Sequence, residues 1–467
     1  MTPGISDNPM SKASQANQSF SQRTAITLVI ANMVGTGVFT SLGFQLLDIQ
    51  QGGIILLLWL IGGIVAFCGA LCYAELGAAL PRSGGEYNFL SRIYHPGAGF
   101  VSGWVSVTVG FSAPTAAAAI TAATYLKSVF PDLSVVVTSV LLVMAVGAVH
   151  LGARNGSSVF QQAFTGVKIL LILAFMVAAW WQVESLQQIA WLPETSDLAL
   201  IGSGGFAVAL IYVNYAYTGW NAATYLSGEV ESPTRNLPRI LMIGTAAVTL
   251  LYLALHVMFL SVAPMEAMAG KVEIGYVVAD YAFGPTGAAL VGGMLGILLV
   301  STVSAMLLAG PRALQVMGED FKTFAILSKT TKSGIPAVAV VAQILLTVVL
   351  IVTSSFEQII VFSGALLALN SLLTVVGVLI LRWREPNLSR PFTMPWYPVP
   401  MVVYAVIIFW TLVYLVMERP LEGLMALILI ASGGAVYWLT TLRERSAPGN
   451  QSTCGKQLGA GMTQRPG

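Results

Sequence analysis

Long apolar windows separated by short polar segments fill residues 24–47, 54–80, 99–126, 135–151, 158–181, 203–226, 239–263, 286–310, 336–353, 357–381, 399–417 and 421–442. A helix that crosses a bilayer uses about 20 predominantly apolar residues. The pattern therefore predicts an all-α polytopic membrane protein of twelve transmembrane helices over residues 24–442, between a polar N-terminal tail, 1–23, and a C-terminal tail, 443–467.

Composition narrows the class. Hydrophobic residues make up 56% of the 467 positions and charged residues only 9%, so little chain is left over for a soluble domain. The net charge of +2 comes without a basic run, so the clustered cations that nucleic acid binding needs are missing and that class is excluded. Cys68 and Cys72 lie in one apolar window and Cys454 in the tail, a spacing that builds neither a disulfide framework nor a zinc site. No metal or cofactor is expected. The first 23 residues lack the apolar core and cleavage site of a secretory leader, which leaves targeting to the first span.

Because positively charged loops stay in the cytoplasm, the basic residues set the orientation. Placing both termini and the loops after even-numbered spans inside collects eighteen of the 22 Lys and Arg, against Lys127, Lys271 and Arg419 outside and Lys168 within a span. Both termini are expected to be cytoplasmic.

Two spans carry polar interruptions. The first contains Asn32-Met33-Val34-Gly35-Thr36-Gly37 and the sixth Tyr215-Ala216-Tyr217-Thr218-Gly219-Trp220-Asn221. Two arrangements suit such segments: a continuous helix whose glycines admit a close neighbour, or a broken helix whose freed backbone groups are buried in protein or line a watery cavity. Gly35 and Gly219 are five spans apart, so the interruptions correspond in residues 24–181 and 203–381. An odd number of spans inverts the second copy. The spacing therefore predicts a 5+5 inverted repeat with discontinuous helices 1 and 6 around a midplane site, and two additional helices at 399–442.

These stretches, with Val38-Phe39, Cys72-Tyr73-Ala74-Glu75-Leu76-Gly77, Pro81-Arg82-Ser83-Gly84-Gly85-Glu86-Tyr87, Glu229 and Arg235-Asn236-Leu237-Pro238, resemble the amino acid, polyamine and organocation transporter superfamily. The similarity is greatest to the L-type amino acid transporters and their bacterial relatives. It implies the leucine-transporter-like fold and an amino acid substrate held at the two breaks, with the carboxylate near Gly35, Thr36 and Gly37. Physical chemistry agrees, because a half-helix starting there offers unpaired N–H groups and a positive dipole end. The ammonium needs acceptors, for which the carbonyls of Met33, Tyr215, Ala216 and Thr218 are candidates. Tyr217, Trp220 and Asn221, beside Gly219, are candidates for side-chain selectivity; packing aromatics and an interhelical amide bond are the alternatives.

Lys168 is expected roughly 15 Å deep if its helix starts near Ser158, close to the centre of an approximately 30 Å hydrocarbon layer. A lysine there faces a cavity or partner, or loses its proton. The resemblance implies that it stands in for a sodium ion between the first and eighth helices, with Ser301, Thr302 or Ser304 as partners. It thus implies sodium-independent transport, with proton coupling and simple exchange both open.

The absence of Asp or Glu near the middle of any predicted span favours a neutral amino acid over a cationic amine. Glu75 and Glu86 with Arg82, and Glu229 and Glu231 with Arg235, form two interfacial charge groups, either solvated faces or a cytoplasmic latch, with Glu229 and Arg235 as the gate. His95, His150 and His256 are read as packing residues, and Pro114 is expected to kink the third span. Residues 127–134 lack the cysteine by which animal L-type transporters link a heavy chain, so no disulfide-linked partner is expected. The short tails resemble bacterial forms and imply an inner-membrane permease whose partners are a small amino acid and the lipid bilayer. Neither a reactive constellation nor a pore ring is visible, so a carrier is expected rather than an enzyme or a channel.

Overall fold

The computed structural model describes residues 21–446 except 83, 153–156, 194–196, 226, 228, 229, 332 and 333, and for 157–165, 198 and 443–446 the backbone alone. Every regular element among them is helical. The principal helices are α1 (Gln22–Met33), α2 (Thr36–Gln45), α3 (Gly52–Ala79), α4 (Gly85–Ile93), α5 (Pro96–Val105), α6 (Ser112–Val129), α7 (Val135–Gly152) and α8 (Ser157–Gln182). They continue with α9 (Gly204–Tyr217), α10 (Ala222–Tyr225), α11 (Pro233–Val262), α12 (Ile274–Asp320), α13 (Ala337–Thr353), α14 (Phe356–Arg384), α15 (Val399–Glu418) and α16 (Pro420–Ser446).

Among the described residues, nine stretches are long and apolar enough to cross a membrane: α1 with α2, α3, α5 through α6, α7, α11, α12, α14, α15 and α16. The chain is a multi-pass integral membrane protein. Of the other predicted windows, α13 and the Gly166–Gln182 part of α8 are shorter apolar helices, and α9 runs for only 14 residues before its interruption. Exposed tryptophans mark span ends, with Trp181 closing α8 and Trp383 closing α14, as expected of rings at a membrane–water boundary.

Local chemistry explains the element boundaries. Ser203 caps α9 by accepting from the Phe206 N–H at 3.2 Å, and Ser355 with Gln358 forms a capping box that starts α14. The third span departs from regular helix as Pro114 predicts: a π-helical turn at Ser106–Phe111 separates α5 from α6. A proline lacks the N–H for the preceding turn and its ring clashes with that turn's carbonyl, so the backbone widens on its N-terminal side. The predicted span at 286–310 lies in the second of two helices that together make up α12 and meet at Gly284, whose φ of 71° and ψ of −177° are non-helical, immediately before Pro285. Residues preceding proline disfavour the helical region, and only glycine adopts this positive φ without strain.

Lipid chains are as apolar as leucine, so helix association rests on close packing. Ala116 to Ala119, Ala122 and Ala123 of α6 are fully buried, and a Cβ at Gly296 of α12 would lie 3.5 Å from the Ala122 carbonyl oxygen. The first span packs inside the bundle, with 67% of its apolar window buried, whereas α7 has 17% and faces outward. The two interrupted spans therefore meet away from lipid.

Gly43 shows how tight the fit is. The Gly270 N–H donates to its carbonyl at 2.7 Å, and a Cβ there would lie 2.0 Å from the Lys271 carbonyl oxygen. Gly43→Ala should lower thermal stability by about 1–3 kcal/mol, the usual cost of overpacking. Gly293→Ala, whose Cβ meets nothing within 4 Å, should melt like the parent chain.

Candidate functional site

The first span is broken at two residues. α1 ends at Met33, Val34 has ψ 81°, Gly35 is extended at φ −125° and ψ −145°, and α2 begins at Thr36 without a side-chain cap. The sixth span is broken over residues 218–221, between α9 and α10, with Gly219 at φ 102°. The breaks touch. A Cβ at Gly37 would lie 2.5 Å from the Ala216 Cα, and one at Gly219 would lie 2.9 Å from the Asn32 carbonyl oxygen. Both arrangements anticipated for the interruptions thus coexist: the helices are broken, and Gly37, inside α2, serves a backbone-to-backbone approach.

A tyrosine that sequence reasoning missed joins the breaks. The Tyr252 hydroxyl on α11, fully buried, lies 2.6 Å from the Met33 carbonyl oxygen and 2.9 Å from that of Ala216. Its ring is wedged by Trp59, edge-on at 5.4 Å, and by Tyr217 at 5.0 Å. The available signal was a phenol in a leucine-rich window, since a buried tyrosine hydroxyl ordinarily finds a partner.

The carbonyl candidates divide accordingly. Met33 accepts from Tyr252 and from the Gly35 N–H at 2.8 Å, which uses both its lone pairs. Tyr215 accepts from the Thr218 N–H at 3.0 Å and the Thr218 hydroxyl at 2.6 Å, and Ala216 accepts from Tyr252.

A cavity of about 390 Å³ lies at the breaks and continues along α1 to Thr24 and along α12 to the exposed Arg312. Met33, Gly35, Thr36, Gly37, Tyr215, Ala216, Thr218, Gly219, Trp220, Asn221 and Thr302 line it. Tyr217 does not: its hydroxyl donates to the Trp59 carbonyl at 3.2 Å, away from the lining. Near the C-terminal end of α2, Phe44 stacks between Tyr212 and Phe356 with centroids 5.5 and 5.8 Å away. Beside this stack, Glu357 accepts from Tyr212 at 3.0 Å and pairs with Arg419 at 2.7 Å.

Lys168 is buried, and its Nζ donates to the Thr302 hydroxyl at 3.2 Å. Thr302 also backs the first break, its Cγ2 lying 3.6 Å from a Cβ built on Gly35. The other two α12 hydroxyls are not brought to Lys168. Ser301 turns back to the Leu298 carbonyl at 2.5 Å, and Ser304 lies 2.9 Å from His150 Nε2. At 3.6 residues per turn, Ser304 lies about 200° around the helix from Thr302.

The expected interfacial charge groups come apart. Glu75 is buried in a bidentate pair with Arg382 at 2.8 and 2.6 Å and accepts from the Met394 N–H at 2.8 Å. Arg82 instead reaches Asp320 at 3.3 Å, beside the Tyr87 hydroxyl that donates to the same carboxylate. Glu86, on α4, is 1% exposed and lines the cavity. Its Oε1 accepts from Tyr73 at 2.5 Å, Asn221 at 2.9 Å and Ser371 at 3.0 Å, and its Oε2 from Tyr225 at 2.8 Å and Asn370 at 2.6 Å. A carboxylate thus reaches the cavity from outside the predicted spans, which a search of span centres overlooks. Glu229 lies outside the described residues, and Arg235 is exposed, with its backbone N–H on the Ser232 carbonyl.

The histidines have structural surroundings. His95 caps α5 by accepting from the Gly97 N–H at 3.0 Å, and His256 packs tilted against Trp59 with ring centroids 3.8 Å apart.

Tyr252→Phe should lower thermal stability by about 1–3 kcal/mol, the cost of leaving a buried acceptor without its donor. Tyr414→Phe, at an exposed hydroxyl 3.5 Å from the Gly202 carbonyl, should change melting by less than about 0.5 kcal/mol.

Residues 20–434 match the family described as amino acid permease. The large neutral amino acids transporter small subunit 2 of Mus musculus is 28% identical over 469 residues, covering 94% of this chain and 85% of that protein. The Asc-type amino acid transporter 1 of Mus musculus is 30% identical, covering 89% of this chain and 80% of its own. The b(0,+)-type amino acid transporter 1 of the same species is 25% identical, with 89% and 86% covered. With the match running from the first span into the last, the chain belongs to the amino acid permease family and, within the amino acid, polyamine and organocation superfamily, to its L-type-like amino acid transporters.

Proposed function

We propose that the protein is a secondary active transporter that moves neutral L-amino acids by alternating access, independently of sodium, through proton-coupled symport or amino acid exchange. The observation that carries this reading is the junction of the two breaks. There the uncapped N-terminus of α2 meets the C-termini of α1 and α9 at one cavity. Positive and negative helix ends at one place complement a zwitterion, with N–H groups of Thr36 and Gly37 for the carboxylate. The Thr218 carbonyl and the remaining lone pair of Ala216 are the acceptors for the ammonium. A cavity of about 390 Å³ suits a single amino acid.

The reading takes the fold as twelve spans in a 5+5 inverted repeat plus two, with cytoplasmic termini in a bacterial inner membrane. The cavity then opens inward past Thr24 and Arg312, while the Phe44 stack closes the outer side. Lys168 holds the place of a cation behind Thr302, which supports sodium independence. Ser301 and Ser304 have no part in it, and Tyr217 acts by packing Tyr252.

One observation favours a cationic amine instead: Glu86 is a carboxylate on the cavity wall. Its two oxygens offer about four lone-pair positions, and five protein donors occupy them. It therefore has no acceptor left for a guanidinium or ammonium, and the neutral reading stands. The names of the relatives, which include large neutral amino acids, support it as well.

Purified protein in liposomes should show saturable counterflow of a labelled neutral amino acid; non-saturating ohmic current would count against a carrier. Lys168→Ala should abolish or uncouple transport while the protein still inserts and melts cooperatively. Full uptake with unaltered pH dependence would remove Lys168 from the mechanism. Gly35→Leu should block substrate, and wild-type affinity there would move the carboxylate site elsewhere.

A further inference from the structure

Two charged side chains line the cavity among the described residues, Glu86 and Arg312. They are not equivalent. Arg312 is exposed and donates to the Leu308 carbonyl at 2.9 Å, so water and salt screen its charge. Glu86 is 1% exposed, and its five donors are phenols, amides and a hydroxyl, none of them charged. Neutral donors stabilise an ion without cancelling its charge, and in low-dielectric surroundings that charge acts over a longer distance than it would in water. The positive features of the site lie at the first break, with the uncapped start of α2 and Lys168 donating to Thr302.

Glu86 is also close to the second break. Its Oε1 lies 2.9 Å from the Asn221 amide, at the end of the non-helical residues 218–221. A substrate carboxylate at the start of α2 would leave the side chain to occupy the cavity between there and Glu86. We propose that Glu86 is a specificity-determining residue that bars amino acids with an anionic side chain, because a second carboxylate would meet an uncompensated like charge. With its lone pairs filled, it does this through its field and not by binding the substrate. The proposal rests on the transport reading above.

The test compares side chains of equal shape and different charge. Glutamine and glutamate, and asparagine and aspartate, compete at neutral pH against counterflow of a labelled neutral amino acid. In the wild-type protein the amide of each pair should compete on the order of tenfold better than the acid. Glu86→Gln should narrow that gap about tenfold, and Glu86→Asp should keep it. An unchanged gap in Glu86→Gln, or equal competition by amide and acid in the wild type, overturns the proposal.

If Glu86→Gln does not accumulate as folded protein, the double variant Glu86→Gln with Asn370→Asp is used. It exchanges amide and carboxylate across their 2.6 Å contact and keeps a carboxylate directly behind the Glu86 position, although Asn370 itself does not line the cavity. It must retain the discrimination, and loss there also overturns the proposal. Should neither amide compete while other neutral amino acids do, polarity rather than charge governs the site and the proposal falls. Absence of counterflow with every neutral amino acid would instead overturn the transport reading.

Discussion

A carbonyl at membrane depth with no donor costs several kcal/mol, and breaking two helices side by side frees several carbonyls at once. The Tyr252 hydroxyl, 2.6 Å from one break and 2.9 Å from the other, meets that demand at the point where the breaks touch. Its position is fixed by two rings, Trp59 and Tyr217, and Trp59 is itself packed against His256. Around this junction most freed carbonyls are satisfied internally, whereas the first N–H groups of α2 have no side-chain cap. The cavity therefore carries its chemistry at one helix start and a small number of acceptors.

The junction also requires that two backbones approach as closely as side chains normally do. Gly37 against Ala216 and Gly219 against Asn32 permit it, the latter at a positive φ that other residues rarely adopt. The interrupted spans can be central because outward-facing helices such as α7 bury little of themselves. Family membership, shown over residues 20–434, is consistent with this arrangement of an ordered bundle around two irregular segments.

Charges are sorted by depth. Arg82 with Asp320 and Arg92 with Glu385 are partly exposed pairs on the loop side, where screening leaves them small individual contributions. Glu75 is buried but met bidentately by Arg382 and approached by Arg390 at 3.6 Å. Glu86 alone of these carboxylates faces the cavity and is held by neutral groups, so its charge is the one that a bound molecule would feel most directly.

Much of this organisation was legible in the amino-acid order. Apolar windows locate helices because a bilayer leaves the backbone few ways to satisfy itself. Glycine and polar residues inside two such windows locate the breaks, and a lone lysine in a third locates a buried partner. Neighbours in space but distant in sequence were decided by the tertiary structure. Nothing in the order of residues distinguishes Thr302 from Ser301 and Ser304 as the partner of Lys168, because that depends on which side of α12 faces α8. Likewise, Glu86 reads as a loop residue until α3, α10 and α14 converge on it, and Tyr252 reads as one more ring in an apolar helix. Periodicity is a local property of the chain, whereas the partner of a buried polar atom is set by helix rotation and packing across hundreds of residues.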